Sequence, residues 1–296
     1  MLVAIAAAAC KPDFGTPLSL VSAPRILALR ADPAEAAPGD AVAWRALVAA
    51  PDGTIAAPAL DWSWCAAQTP ASSDNVVADA CLDRGGAYLA QAAAMVSAAI
   101  PDDACRLFGS DLPPQTAGQP PERPRDPDAT GGYYQPLRAD LAGASAVALE
   151  RIRCNLAGAS AELAADFRAR YTPNRNPTLL PLAAAVAGQP AALDQIPAGS
   201  TVTLTAAWTP DSPESYPVFD VLAQALVDHR EAMRVSWFAA SGALADERTG
   251  RDETDLALST STTWIAPPAP GVAHLWIVLR DSRGGLDFAA WDVVLR

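Results

Sequence analysis

The chain has 296 residues, of which 51% are hydrophobic and 18% charged, and its formal net charge is −12. That balance excludes a nucleic-acid surface, which needs clustered Lys and Arg; Lys11 is the only lysine. The length suits about two domains, and past the first ten residues no apolar run approaches the roughly 18 residues needed to span a bilayer as a helix.

In chain order, the first segment is Met1-Leu-Val-Ala-Ile-Ala-Ala-Ala-Ala-Cys10. An apolar run that closes on small residues immediately before a cysteine resembles the export signal of bacterial lipoproteins. No Lys or Arg precedes the run, and Ala7 stands where that family usually has Leu. The resemblance implies cleavage before Cys10, acylation of Cys10, and residence in the cell envelope, anchored to the outer membrane through that lipid alone. Lys11 to Ala23, with Pro, Gly and Ser and no clear period, then reads as a tether.

Period-two alternation, the mark of half-buried strands, begins at Arg25–Arg30. It continues through Val42, Trp44, Ala46 and Val48, and through Leu60, Trp62 and Trp64. Pro51-Asp-Gly53 between them is a turn, because Pro presets φ and Gly tolerates positive φ. Residues 66–145 depart from this pattern. Ala87 to Ile100 is Ala-rich and reads as a helix; Pro113 to Thr130 is Pro-rich and reads as an extended or disordered loop. Val147 to Cys154 reads as a returning strand and Ser160 to Arg170 as a helix. Tyr171-Thr-Pro-Asn-Arg-Asn-Pro177 ends that helix and marks a boundary between units at 24–172 and 173–296. The second unit repeats the strand grammar at Val202–Trp208, Met233–Phe238, Thr260–Ile265, Val272–Arg280 and Phe288–Leu295.

The expected fold is mainly β, two tandem immunoglobulin-like β-sandwiches, the first carrying a helical and Pro-rich insertion. In the last third of the chain, Ala266-Pro267, Pro270-Gly271, the strand to Leu279 and Arg280-Asp-Ser-Arg-Gly-Gly285 resemble the closing strands of bacterial immunoglobulin-like or PKD-type surface modules. Residues 24–65 share that likeness more loosely. These signatures imply a fold and no ligand.

Apart from Cys10, the cysteines are Cys65, Cys81, Cys105 and Cys154. Four cysteines in an exported chain suggest two disulfides with three connectivities that spacing leaves open; Cys65–Cys81 with Cys105–Cys154 is the one favoured. Signatures of zinc proteases, serine hydrolases, phosphate loops and dinucleotide folds are absent, so the chain is read as non-catalytic, with no cofactor. His229 is placed on a solvated helix end and His274 within a strand. Asp246, Asp252, Glu253 and Asp255, with Glu247, are weak calcium candidates, because a flexible loop gathers several oxygen ligands. Their spacing matches no established calcium loop. Alternation also puts Phe238, His274, Trp276 and Phe288 on one outer sheet face, where rings could stack on a glycan or a partner protein, unless the first unit or residues 209–230 cover it. The functional expectation is a non-catalytic envelope lipoprotein acting in adhesion, scaffolding or assembly through protein contacts. A carbohydrate-binding module is the alternative, and an enzyme or enzyme accessory sited in 66–170 is the third reading.

Overall fold

A computed structural model describes residues 17–65, 77, 79–82, 87–105, 130–156 and 158–296. Met1–Cys10 and nearly all of Pro113–Thr130 lie outside them, so the lipid-anchor and Pro-rich-loop expectations are not addressed by the structure.

The strands of the N-terminal half are β1 (Arg25–Asp32), β2 (Glu35–Ala36), β3 (Ala41–Ala50), β4 (Gly53–Thr54), β5 (Leu60–Trp64), β6 (Ala87–Ala93), β7 (Met95–Ala99), β8 (Gly132–Leu141) and β9 (Ala144–Arg153). A short helix, α1 (Asp79–Leu82), follows β5, and α2 (Ala161–Arg170) follows β9. One sheet has β1 and β7 on either side of β3, with β4 at the end of β3; the other runs β2-β9-β8-β5-β6. Between them lie Trp44, Trp62, Leu60, Val48, Leu137 and Ile152, all at most 1% exposed. Three of the half's bulky side chains are tryptophans, which supply the volume that so many alanines do not.

The Ala-rich segment 87–100 is two strands, not a helix. β6 pairs β5 in one sheet and β7 pairs β3 in the other, so the chain changes sheets between them. The change falls where Ala92 takes φ 51°, held by its N–H donating to Asp61 Oδ1 at 3.0 Å. Two open sheet edges recruit a stretch that would otherwise favour a helix; tertiary pairing overrides local propensity. By contrast α2 forms as its caps dictate. Ser160 Oγ accepts from Leu163 N, Glu162 lies in the first turn, and Arg168 and Arg170 in the last.

The C-terminal half adds β10 (Ala183–Val186), β11 (Gln189–Ala191), β12 (Thr201–Ala207), β13 (Ser215–Asp220), β14 (Ala225–Arg230), β15 (Met233–Ala239), β16 (Ala243–Leu244), β17 (Arg248–Arg251), β18 (Ser259–Ile265), β19 (Gly271–Arg280) and β20 (Leu286–Leu295). Its sheets run β11-β10-β12-β18-β16 and β17-β15-β19-β20, with β13–β14 a separate hairpin. The inward alternation holds throughout: Val202, Leu204 and Ala206 meet Met233, Val235 and Trp237, with Trp208, Trp264, Leu275 and Ile277. The fold is thus mainly β, with two sandwiches in series. His229 lies on β14, not on a helix end.

Two disulfides lie in the N-terminal half, Cys65–Cys81 and Cys105–Cys154, with Cα separations of 5.4 and 5.7 Å. The second ties the end of β9 to the segment after β7 and closes the longer loop, so it constrains the unfolded chain more. Replacing Cys105 and Cys154 by Ala should lower unfolding stability by about 2–4 kcal/mol in denaturant titrations. An unchanged midpoint would show the bond to be dispensable.

Candidate functional site

The outer faces of the two sandwiches meet each other. β1 and β3 present Leu27, Ala28, Leu47 and Ala49; β19 and β20 present Trp276, Val278 and Leu286; together with Val21 these form a third buried cluster. Four sheets are therefore stacked, with an apolar seam between the inner two. Trp276 is 1% exposed and its indole N–H donates to Thr54 Oγ1 at 2.8 Å. The Arg45 guanidinium lies 4.8 Å from the Phe288 ring centre and that of Arg25 lies 5.7 Å from Phe238. The Cβ of any residue larger than Gly at position 53 would sit 3.4 Å from the His274 ring, which itself contacts Asp292 at 2.7 Å.

Phe238, His274, Trp276 and Phe288 do share one outer face, as alternation indicates. However, the N-terminal half packs onto this face, with Trp276 buried and Phe238 and Phe288 half-buried against it. The supposed tether also changes character. Its last residues run beside β15: Val21 N donates to Ala239 O, Ala239 N to Ser19 O, and Val21 is fully buried.

At one end of the seam the segment 171–177 passes between the halves through a knot of buried charge. Glu35, 3% exposed, accepts on Oε2 from Arg151 Nε (3.2 Å), the Tyr171 hydroxyl (2.7 Å) and Asn174 N (2.8 Å). That hydroxyl also accepts from Arg151 Nη2 at 3.0 Å and Arg283 Nη1 at 3.2 Å. Arg283, 1% exposed, donates from Nε to Glu231 Oε1 at 2.6 Å, from Nη2 to Glu214 Oε2 at 2.7 Å, and from Nη1 to Thr172 O at 3.1 Å. Its guanidinium lies 4.5 Å from the Tyr216 ring centre. Tyr134 closes the circuit, accepting from Arg151 Nη1 and donating to Arg283 O. Glu35, Arg151 and Tyr134 belong to one sandwich, Arg283, Glu231 and Glu214 to the other, and Tyr171 to the connection.

Local sequence makes room for these groups. A Cβ at Gly132 would lie 2.5 Å from Arg151 Nη2, and one at Gly285 would collide with Asp281 Oδ2. Asp281 Oδ1 collects the N–H groups of Arg283 and Gly285 and the Asn174 amide. Asn176 bridges the halves as well, donating to Ala31 O and accepting from Leu286 N, and Arg30 pairs with Asp287 at 2.5 Å. Phe167 stacks on Tyr171 with centres 4.8 Å apart, which fixes α2 to the knot.

The electrostatics follow from burial. Desolvation opposes the charge of Arg151, but Tyr134, Tyr171 and Glu35 hold it protonated beyond the ordinary arginine range. Burial pushes Tyr171 up to about 12. Glu231 is pushed up to about 7 by burial and by Asp281, against the pull of Arg283. Beside the knot, Glu150 is pushed up to about 8 by burial, with Glu35 adding repulsion, although the Trp44 indole N–H donates to its Oε2 at 2.9 Å. These groups hold a structure together.

None of the knot residues stood out in the sequence. The available signal was charge within strands: Glu150-Arg151 interrupts an apolar strand, and Arg283 lies in a turn that composition alone marks as solvated. The calcium candidates are not brought together. Asp252 caps its own turn through Thr254 and Asp255, Asp255 pairs with Arg251, Glu253 contacts His229 at 3.0 Å, and Glu247 accepts from Ser19. Among the described residues no group of three or more His, Cys, Asp or Glu is arranged to hold a metal, Asp246 included.

No protein-family model and no curated protein matches the chain. Among solved structures it is similar to a lipoprotein from Bacteroides thetaiotaomicron, at 13% identity over 38% of this chain and 79% of that one, TM-score 0.22. It is also similar to the Yersinia pseudotuberculosis adhesin InvE, at 10% identity over 91% of this chain and 58% of that one, TM-score 0.25. A third likeness is to the fibronectin(III)-like modules of Clostridium thermocellum CbhA, at 10% identity over 90% and 93%, TM-score 0.22. Scores this low say nothing about what the chain does, and the architecture rests on its own strand pairings.

Three outcomes are expected. Arg283→Met strips the buried carboxylates of their cation and should cost about 3–5 kcal/mol; a near-neutral result by calorimetry would show that the knot is not holding the halves. Trp276→Ala should cost about 3–5 kcal/mol as a loss of packing, read as a lowered unfolding midpoint. Glu150 and Glu231 bind protons more readily folded than unfolded, where a glutamate has its ordinary value of 4.5. Stability should therefore fall as pH rises from about 5 to about 8, and Glu150→Gln should flatten that slope. Exposed aspartates with lowered values, such as Asp252, act only below this window. A melting temperature that rises from pH 5 to 8 would contradict the assignment.

Proposed function

We propose that the chain is a non-catalytic cell-envelope lipoprotein, held at the outer membrane by an acylated Cys10, that acts in adhesion, scaffolding or assembly through protein contacts. The observation that carries this reading is the engagement of the buried charge. Glu35, Arg151, Tyr171, Arg283 and Glu231 bind one another and the connecting segment, which supports a stiff two-sandwich body. Two disulfides suit an oxidising compartment, and the run Ala7-Ala-Ala-Cys10 supplies the anchor signal. The glycan reading loses support, because Trp276 is buried and Phe238 and Phe288 are half-buried against the first sandwich.

The test is the mass of native protein extracted from membranes, intact and after alkylation with and without reduction. A diacyl or triacyl increment on a chain starting at Cys10, with thiols freed only by reduction, is expected. Cys10→Ser should move the protein to the soluble fraction. An unmodified Met1 with free cysteines would overturn the reading.

A further inference from the structure

Where the edges of three sheets converge, a groove of about 580 Å³ opens beside the seam. Among the described residues β1 forms a ladder only with β3, while β9 pairs with β8 and, at Arg151–Ile152, with β2, and no ladder joins β1 to β9. Their facing edges, with the turn after β19, leave the space. The walls are largely apolar, with Leu27, Leu29, Val147, Leu149 and Leu286, while Tyr134 and Ser282 add hydroxyls at the end near the β19–β20 turn. One cation, Arg280, lines it from the end of β19.

Among the described residues the Arg280 side chain has no ion pair and no hydrogen bond. Two more arginines share its sheet face. Arg234 is directly opposite on β15, and Arg248 is on β17, where it opposes Ser236. Neither has an anionic partner among the described residues. Like charges directly opposite on a sheet repel, and a desolvated cation with no counter-charge is unfavourable. Burial, with the charge of Arg248, pulls Arg280 below the ordinary arginine range. This is notable in a chain of net charge −12. The one acid at the groove, Asp281, does not neutralise it: its oxygens lie against Asn174, Gly285 and the Arg283 amide.

We infer that this groove is a binding site for a single-chain aliphatic carboxylate, its head paired with Arg280 and its chain laid along the Leu27–Leu29 and Val147–Leu149 edges. Arginine meets a carboxylate with two parallel hydrogen bonds, and the apolar walls match an alkyl chain. This site is separate from the Cys10 anchor and stands whether or not that residue is acylated.

The test is isothermal titration of the full chain carrying Cys10→Ser, so that no acyl group competes, with sodium laurate, dodecanol, and the tripeptide acid acetyl-Val-Leu-Val. One-to-one laurate binding tighter than about 1 mM, with dodecanol at least about tenfold weaker and Arg280→Gln losing about tenfold to a hundredfold, is expected. Arg280→Gln should fold with an equal or higher melting temperature, because it removes an unpaired cation. Leu149→Glu, at a half-open wall position, puts a competing carboxylate at the groove and should abolish laurate binding in a folded protein. Laurate and dodecanol binding alike, laurate binding undiminished in Arg280→Gln, absence of laurate binding, or binding of the tripeptide acid alone would each overturn the assignment.

Discussion

Tyr171 is the point on which the molecule turns. One phenolic oxygen touches a carboxylate and a guanidinium from the first sandwich and a second guanidinium from the other. Taking such charges out of water is unfavourable unless each finds partners at close to ideal geometry. That requirement fixes the relative positions of β2, β9, the connecting segment and the turn between β19 and β20 together. A small displacement of either half would leave a buried charge unmatched, so the connection between the sandwiches acts as a bolt and not as a hinge.

The apolar seam alone would not do this. Its members are Leu, Ala, Val and Trp on two sheet faces, and apolar contacts between such faces are compatible with more than one register. Burial of such surface is favourable but non-directional. The directional contacts lie around it: Arg30 with Asp287, Asn176 bridging Ala31 and Leu286, and Trp276 on Thr54. Apolar contact supplies attraction and the charged knot selects one arrangement.

Much of the fold was legible because alternation in a strand is a local property. The inward sets Val202-Leu204-Ala206, Met233-Val235-Trp237 and Ala273-Leu275-Ile277-Leu279 are where periodicity puts them, as are the helix after Ser160 and the turn at Asp281–Gly285. Ala87–Ile100 misled because an alanine run carries helix propensity and hardly any strand signal; only the open edges of β3 and β5 make it two strands. The aromatic face was legible as a face. What covers it was not, since contact between sheets far apart in the chain leaves no period in either. The knot was least legible of all. Glu35, Arg151, Glu231 and Arg283 look like ordinary surface charges one at a time, and become a site only when β2, β9, the β14–β15 junction, the β19–β20 turn and the linker bring them together.

The same physics explains why the knot's acids and Arg280 behave differently. Around Tyr171 every buried cation has carboxylates within hydrogen-bond range, so burial strengthens the pairing. Arg280 is half-buried, and the nearest acid in sequence, Asp281, is turned onto Gly285 and Asn174 to shape the turn that carries Arg283 into the knot. One residue cannot serve both. Closing the bolt between the sandwiches thus leaves a cation exposed to a groove of apolar strand edges. The unbalanced charge that results is a consequence of the architecture that holds the two halves rigid.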